Sequence, residues 1–341
     1  MISDLGLNML HFAENIFITG HTGLLGAAIL RRLVRLGHPV SHIITRRRDQ
    51  LDLSNQAAVR SFFELAQPEQ VYLNMADPCG FAPHASSSAD LLQQRLSTQA
   101  HVIEAAFHAG VKKLLLITGS DVYPLTALQP MAEEDLATGP LNPANAARAA
   151  ADLVGIQLCE SYNHQYGQSH GIDYRCALTC ETYGPGDHYA PDGQGIVAAL
   201  ISLLHDAATR RLPVVHVDGH ALARHETLFV DDLAEACIYV MEIAQRAFRQ
   251  ERAHSACINV GSGTDHSLRA LAQAVANAVG YQGDLVFGQE AQTNAPQHRL
   301  LDVHRLNALG WTPLMELEYG LEISFMDYKL HHAPRQVAAY S

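Results

Sequence analysis

No apolar run in this sequence approaches the roughly 20 residues that a membrane-spanning helix needs, so a helical membrane protein is not expected. The opening stretch, MISDLGLNMLHFAENIF, lacks the basic start of a secretory signal and reads as a short leader before the first strand. Tandem repeats and low-complexity tracts are missing too, which sets aside solenoid and disordered-chain classes. The cysteines Cys79, Cys159, Cys176, Cys180, Cys237 and Cys257 form no C-x-x-C pair, which fits reduced, buried thiols in a cytoplasmic protein. Cys176 and Cys180 share a predicted strand and are read as core. No H-E-x-x-H motif occurs among the 20 histidines, so no metal site is expected, and His331-His332 reads as solvated surface. Basic charge is outweighed, with Lys+Arg 23 against Asp+Glu 35 and a net charge of −12. Such an acidic surface repels a phosphate backbone, so nucleic acid is not an expected partner.

What is present suffices for a sizeable core: 341 residues, 48% hydrophobic and 17% charged, enough for one large or two modest domains. Apolar strands alternate with helical patterns, which points to a parallel sheet covered on both faces. Strands are predicted at Ile16–Thr19, His42–Thr45, Val71–Asn74, Lys113–Thr118 and Tyr174–Cys180. Between them the pattern predicts helices over Leu24–Gly37, from a Ser54 cap to Leu65, over Ala89–Ala109, and a long one capped by Asn145. After Tyr183-Gly184-Pro185 the pattern loosens. Helices are expected at Ile196–Ala207, Asp231–Arg249, Leu268–Val279 and Met315–Leu330, with short strands at Pro213–His216, Ile258–Val260 and Leu285–Phe287.

Gly20-His21-Thr22-Gly23-Leu24-Leu25-Gly26 sits between an apolar strand and an amphipathic helix. The first glycine permits the tight turn, the second lets backbone N–H groups approach a pyrophosphate, and the third lets helix pack on strand. This context predicts a dinucleotide site. The second strand ends in Thr45-Arg46-Arg47-Arg48-Asp49, where a carboxylate would select NAD and arginines suit a 2′-phosphate. NADP(H) is therefore the expected cofactor, with NAD as the alternative. Contacts are expected from Gly20, Thr22, Gly23, Leu24, Leu25 and Gly26, from Arg46, Arg48 and Asp52, and from Met75 and Ala76 after the third strand.

With these residues placed, the chain resembles the GDP-L-fucose synthase family of extended short-chain dehydrogenase/reductases, from about Asn15 to Leu330. The likeness is carried by ITGHTGLLGAAILRRL, TRRRDQLDL, KKLLLITGSDVYP, QPMAEEDL, IQLCESYNHQYG, YGPGDH, FVDDLAEA, INVGSG and LLDVHRLNALGW. The resemblance implies an α/β protein: a Rossmann doubly wound parallel sheet with a smaller C-terminal α+β substrate domain, in a homodimer. Residues 1–180 would form the dinucleotide domain, with a return segment near 225–260. Residues 181–224 and 261–332 would form the substrate domain, and 333–341 a loose tail. The family uses NADPH to epimerise and reduce a 4-keto-6-deoxy-mannose carried on GDP, so a small-molecule substrate is implied.

The family's reacting residues do not carry over. Its catalytic Tyr and Lys fall on Arg148 and Asp152, and its Ser on Gly119 with Ser120 adjacent. An arginine cannot donate a proton near neutral pH, and an aspartate reverses the field of the lysine. Arg148 and Asp152 are expected to form an i,i+4 ion pair. The family's Cys falls on Asp121, its His on Gly195, an Arg on Leu203, an Asn on Glu181, and the GDP-contacting Arg on His225 beside Arg224. The substrate loop reads QTNAPQHR. The family reaction is therefore expected to be absent. Candidate replacements are Asp121 as a base or as a partner of Arg148, His101 as a relay, His188 on the loop after YGPGD, and Ser120. Tyr123 reads as structural, with a substitute acid as its other possible role. The expected function is an enzyme of altered chemistry on a sugar nucleotide or other small metabolite, with a non-catalytic NADP-binding regulatory or partner protein as the alternative.

Overall fold

The structure, a computed structural model, describes residues 14–75, 88–189, 195–249, 256–288 and 299–332. Ala76, Cys79, the leader, the tail and most of QTNAPQHR lie outside the described residues.

The first half runs β1 (Ile16–Ile18), α1 (Leu24–Arg35), β2 (Ile43–Thr45), α2 (Gln56–Ala66), β3 (Gln70–Asn74), α3 (Ser88–His108), β4 (Lys113–Gly119), α4 (Ala146–His170) and β5 (Asp173–Thr179). Short strands then mix with helices: β6 (Glu181–Tyr183), α5 (Ile196–Arg210), β7 (Val214–His220), β8 (Arg224–Phe229), α6 (Val230–Glu242), α7 (Gln245–Phe248) and β9 (Cys257–Val260). The chain closes with β10 (Asp265–Ser267), α8 (Leu268–Val279), β11 (Asp284–Gly288), α9 (His304–Ala308) and α10 (Leu317–His331).

One six-stranded sheet, ordered β2-β1-β3-β4-β5-β9, is parallel at every pairing. β1, β3, β4 and β5 are almost wholly buried, as strands covered on both faces must be. The order reverses on either side of β1, which opens a crevice at the carboxyl edge beside β1 and β3. A three-stranded sheet, β10-β8-β6, and a pair, β11-β7, build the second part around its own core of Leu200, Ile201, Leu204, Leu271, Val275 and Leu321. β9 and α6 return to the first core.

Several local expectations are corrected. Asn55, not Ser54, caps α2, accepting from the Ala58 amide (3.1 Å), because Ser54 is engaged by Asp52. Asn145 precedes α4 but makes no cap bond, since its amide donates to Asp121 (3.0 Å). The helix expected over Asp231–Arg249 is two, α6 and α7, separated at Ile243 and Ala244. β6, β8, β10 and α9 had no prediction; three of these elements are only three to five residues long and none has a full period of apolar patterning. Among the described residues, no helix is long and apolar enough to cross a membrane.

Candidate functional site

The glycine loop does what its spacing requires. Gly20 has φ +64°, and its carbonyl accepts from the Gly23 amide at 3.0 Å, closing the turn. A Cβ on Gly26 would lie 2.2 Å from the Gly20 carbonyl oxygen, so only glycine lets α1 pack this close to the loop. The loop opens onto a cleft of about 270 Å³ lined by Gly20, Thr22, Gly23, Arg46, Arg48, Asp52 and Met75 among the expected contacts. Leu24, Leu25 and Gly26 are not on its wall: the two leucines pack on the core and Gly26 is buried beneath the turn.

At the far side of the cleft Arg46 stacks over the Phe62 ring (5.3 Å to the centroid) and donates to the Thr45 carbonyl, which fixes its direction. Arg47, also on the wall, is paired with Asp49 (3.1 Å). Asp52 accepts from the Ser54 hydroxyl (2.7 Å) and amide (2.9 Å), and these bonds hold its carboxyl below the ordinary range. The guanidiniums of Arg46, Arg47 and Arg48 on one cleft wall suit a ligand with an extra phosphate.

α3 also lines the cleft, contributing Leu91, Gln94, Arg95 and Thr98. Arg95 was not anticipated. It bonds Asp152 through Nε (3.0 Å) and Nη2 (2.8 Å to each oxygen), and its Nη1 donates to the Met75 carbonyl (2.7 Å). Gln99 (2.9 Å) and the Thr118 hydroxyl (2.5 Å) complete the shell around Asp152. Burial pushes the Asp152 carboxyl up, while Arg95 and the hydrogen bonds pull it back. The expected i,i+4 pair of Arg148 with Asp152 does not form, because Asp152 turns inward to α3. Helix-surface spacing could not reveal a partner 57 residues away.

Arg148, in the first turn of α4, instead faces Asp121 beyond the carboxyl end of β4 (3.8 Å). Arg299, on the last described segment before α9, also bonds Asp121, and Asn145 donates to the same carboxylate. Asp121 thus sits among two guanidiniums and an amide, and it is not on the wall of the dinucleotide cleft. Gly119 ends β4, and Ser120 follows half-buried. Tyr123 is fully buried and donates to Asn259 (2.6 Å); burial pushes its phenol well above its ordinary range. His101 is half-buried one turn beyond Thr98, further from the carboxyl edge than Arg95, with Nδ1 unbonded among the described residues. His188 is exposed on the loop after β6. No contact among the described residues joins either histidine to Asp121.

The lysine question has a whole-chain answer. The only lysines are Lys112, Lys113 and Lys329. Lys113 starts β4 at the opposite edge of the sheet from Gly119, with Lys112 beside it, and Lys329 lies over the Phe325 ring (4.5 Å). No tyrosine–lysine couple can therefore form at the carboxyl edge of β4.

Beside that edge, Glu181 accepts from the amide of Ile196 at the start of α5. Burial, with Asp187 nearby, lifts its carboxyl to about 7. Gly195 is the residue before α5, and Leu203 is 39% exposed on that helix, so neither supplies a polar side chain to the site. Arg224 is bound to Asp265 (2.8 Å). For His225, on the opposite face of β8, burial lowers the pKa.

Comparison with known proteins places this arrangement. Residues 16–261 match the model of the NAD dependent epimerase/dehydratase family. The chain is 39% identical over 313 residues to a GDP-L-fucose synthase of Escherichia coli (strain K12), covering 92% of this chain and 95% of that protein. Among solved structures it is similar to a GDP-6-OMe-4-keto-L-xylo-heptose reductase from C. jejuni, at 29% identity and TM-score 0.85, covering 95% of this chain and 99% of that one. It is also similar to a GDP-mannoheptose C4 reductase from Campylobacter jejuni with NADP bound, at 31% identity and TM-score 0.82, covering 94% and 99%. With that breadth of match and a cleft built on Gly20, Gly23 and Gly26, the chain belongs to the NAD dependent epimerase/dehydratase family and resembles its GDP-L-fucose synthases.

Proposed function

We propose that this protein binds NADP(H) in the glycine-loop cleft but does not carry out the ketone reduction of its relatives, and that it serves as a non-catalytic, cofactor-binding partner protein. The cofactor half rests on a fit. Gly20 and Gly23 leave the loop backbone open to a pyrophosphate at the start of α1, and Arg46 and Arg48 line the same cleft and would hold a 2′-phosphate. When bound, the group would supply hydride chemistry.

The observation that carries the other half is the charge arrangement at the carboxyl edge of β4. Hydride transfer to a carbonyl needs a proton for the oxygen. Arg148 cannot give one, Asp121 is ion-paired with Arg148 and Arg299, and Tyr123 is turned into the core. The ammonium that would lower a phenol's pKa is nowhere near. NADPH is expected to raise the melting temperature more than NADH, by ~2.7 kcal/mol of stabilisation at a hundredfold excess over Kd. GDP-4-keto-6-deoxy-mannose with NADPH is expected to give no turnover. Absence of any shift with NADPH contradicts the first half, and fucose formation contradicts the second.

One observation favours a second reading, an enzyme of altered chemistry on a sugar nucleotide or other small metabolite. Glu181, with its carboxyl at about 7, stands at the same sheet edge one strand away from Asp121 and can exchange a proton near neutrality. Under that reading any turnover found with a candidate substrate is abolished by Glu181→Gln. Under the first there is none to abolish.

A further inference from the structure

We infer that His21 is the titratable member of the phosphate wall: it bonds the 2′-phosphate of NADP(H) as an imidazolium, so that the choice of NADP(H) over NAD(H) is coupled to uptake of a proton. The inference deepens the NADP(H) binding proposed above and rests on it.

The cleft offers fewer free donors than its arginines suggest. Arg95 is turned to Asp152 and the Met75 carbonyl, and Arg47 is paired with Asp49. Arg46 lies over Phe62 with an N–H on the Thr45 carbonyl. Arg48 and His21 line the same cleft, and neither makes a hydrogen bond to a described residue. His21 directly follows Gly20, where the positive φ turns the chain, and its ring is half-buried on the glycine loop. Nδ1 is shut off from solvent without a partner. An unbonded, buried ring nitrogen costs free energy that a ligand oxygen would recover. Since no hydrogen bond holds the ring, rotation about Cβ–Cγ can present either nitrogen to the cleft.

The charges around the ring give the coupling its direction. Burial first, then the Arg47 charge, lowers the pKa of His21 from its ordinary 6.5. A phosphate dianion against the ring acts with the opposite sign and favours the imidazolium. The other charged groups on the wall do not compete for this proton. Arg46, Arg47, Arg48 and Arg95 stay protonated throughout, and the Asp52 carboxyl is held below its ordinary range by Ser54. Among the described residues lining the cleft, His21 alone has an ordinary pKa near neutrality. NAD(H) has a hydroxyl in place of the phosphate, so its binding gives the ring no anion to face.

The test is calorimetric titration of NADP+ and of NAD+ into wild type, His21→Asn and His21→Lys. Heats are compared in two buffers of different ionisation enthalpy, and melting temperatures are recorded. The 2′-phosphate itself titrates near pH 6, so at about pH 7.5 it adds no uptake of its own. Wild type is expected to take up a fraction of a proton with NADP+ and none with NAD+. Its NADP+ affinity is expected to fall by about tenfold between about pH 6.5 and 8.5, the equivalent of one pKa unit of linkage. His21→Asn loses the uptake, flattens the profile and brings NADP+ affinity towards that of NAD+. His21→Lys, a cation across this range, keeps the affinity and loses the uptake. Both variants are expected to melt as wild type does, because the ring makes no hydrogen bond to lose. Wild type that takes up no proton with NADP+ overturns this inference alone, as does uptake unchanged in His21→Asn. An equal loss of NADP+ and NAD+ affinity in both variants also overturns it, since His21 then only shapes the loop. Wild-type protein that does not bind NADP+ overturns the proposed function as well.

Discussion

At the scale of single residues, the charges of Arg148 and Asp152, one turn apart on α4, are both compensated from outside that helix. Each is committed to a partner on another element, Asp121 beyond β4 and Arg95 on α3. Asp152→Lys alone therefore cannot restore a reductase, because it sets a buried ammonium against the Arg95 guanidinium. A loss of about 3–5 kcal/mol in unfolding free energy is expected from denaturant titration, as for breaking a buried pair. A loss under about 1 kcal/mol, within the range of an exposed pair, contradicts this. Asp121 was one sequence reading of the partner of Arg148, whereas Arg95 as the partner of Asp152 was not legible there. The i,i+4 spacing of Arg148 and Asp152 suggested a mutual bond, yet pairs on helix surfaces are weak and a buried carboxylate takes the donors that burial brings to it. The available signal was Arg95 and Gln99, polar at i and i+4 on a helix face that continues as Val102, Ile103 and Ala106.

At the scale of elements, the β1–loop–α1 unit was legible because everything that defines it is local. Gly20 needs its positive φ and Gly26 its missing side chain, and both lie within seven residues of chain. Gly26→Ala is expected to cost about 1–3 kcal/mol in stability through overpacking, and to weaken NADPH further by tilting α1 away from the loop. Thermal melts with and without NADPH measure both, and unchanged values contradict the assigned packing. β6, β8 and β10 were not legible for the converse reason. Strands of three to six residues take their definition from neighbours distant in sequence, such as Glu226 of β8 opposite Asp265 of β10. Asn55 displaced the expected Ser54 cap because two competent side chains were adjacent and Asp52 engaged one of them.

At the scale of the whole molecule, buried carboxylates with no cation partner among the described residues tie the second part of the chain together. Glu226, 3% exposed, accepts from the amides of Gly263 and Leu301 (2.8 Å each) and so joins β8 to two later segments. Burial lifts its carboxyl from 4.5 to about 7, and Glu181 is lifted to the same level. The folded state therefore holds these protons more tightly than the unfolded chain does. The resulting stabilisation is full below the unfolded value and is lost as pH rises through the folded one. Unfolding free energy is expected to fall between about pH 4.5 and 7, and Glu226→Gln is expected to flatten that slope. A slope unaffected by the substitution contradicts the role given to Glu226.

A single turnover asks whether this protein can protonate a reduced ketone. Stoichiometric protein with bound NADPH is mixed with GDP-4-keto-6-deoxy-mannose, and the reduced nicotinamide absorbance is followed. The account predicts that fluorescence reports bound NADPH while its absorbance stays constant. Oxidation of one NADPH per protein would contradict this, showing that a proton donor serves this sheet edge despite the ion pairs of Arg148, Asp121 and Arg299.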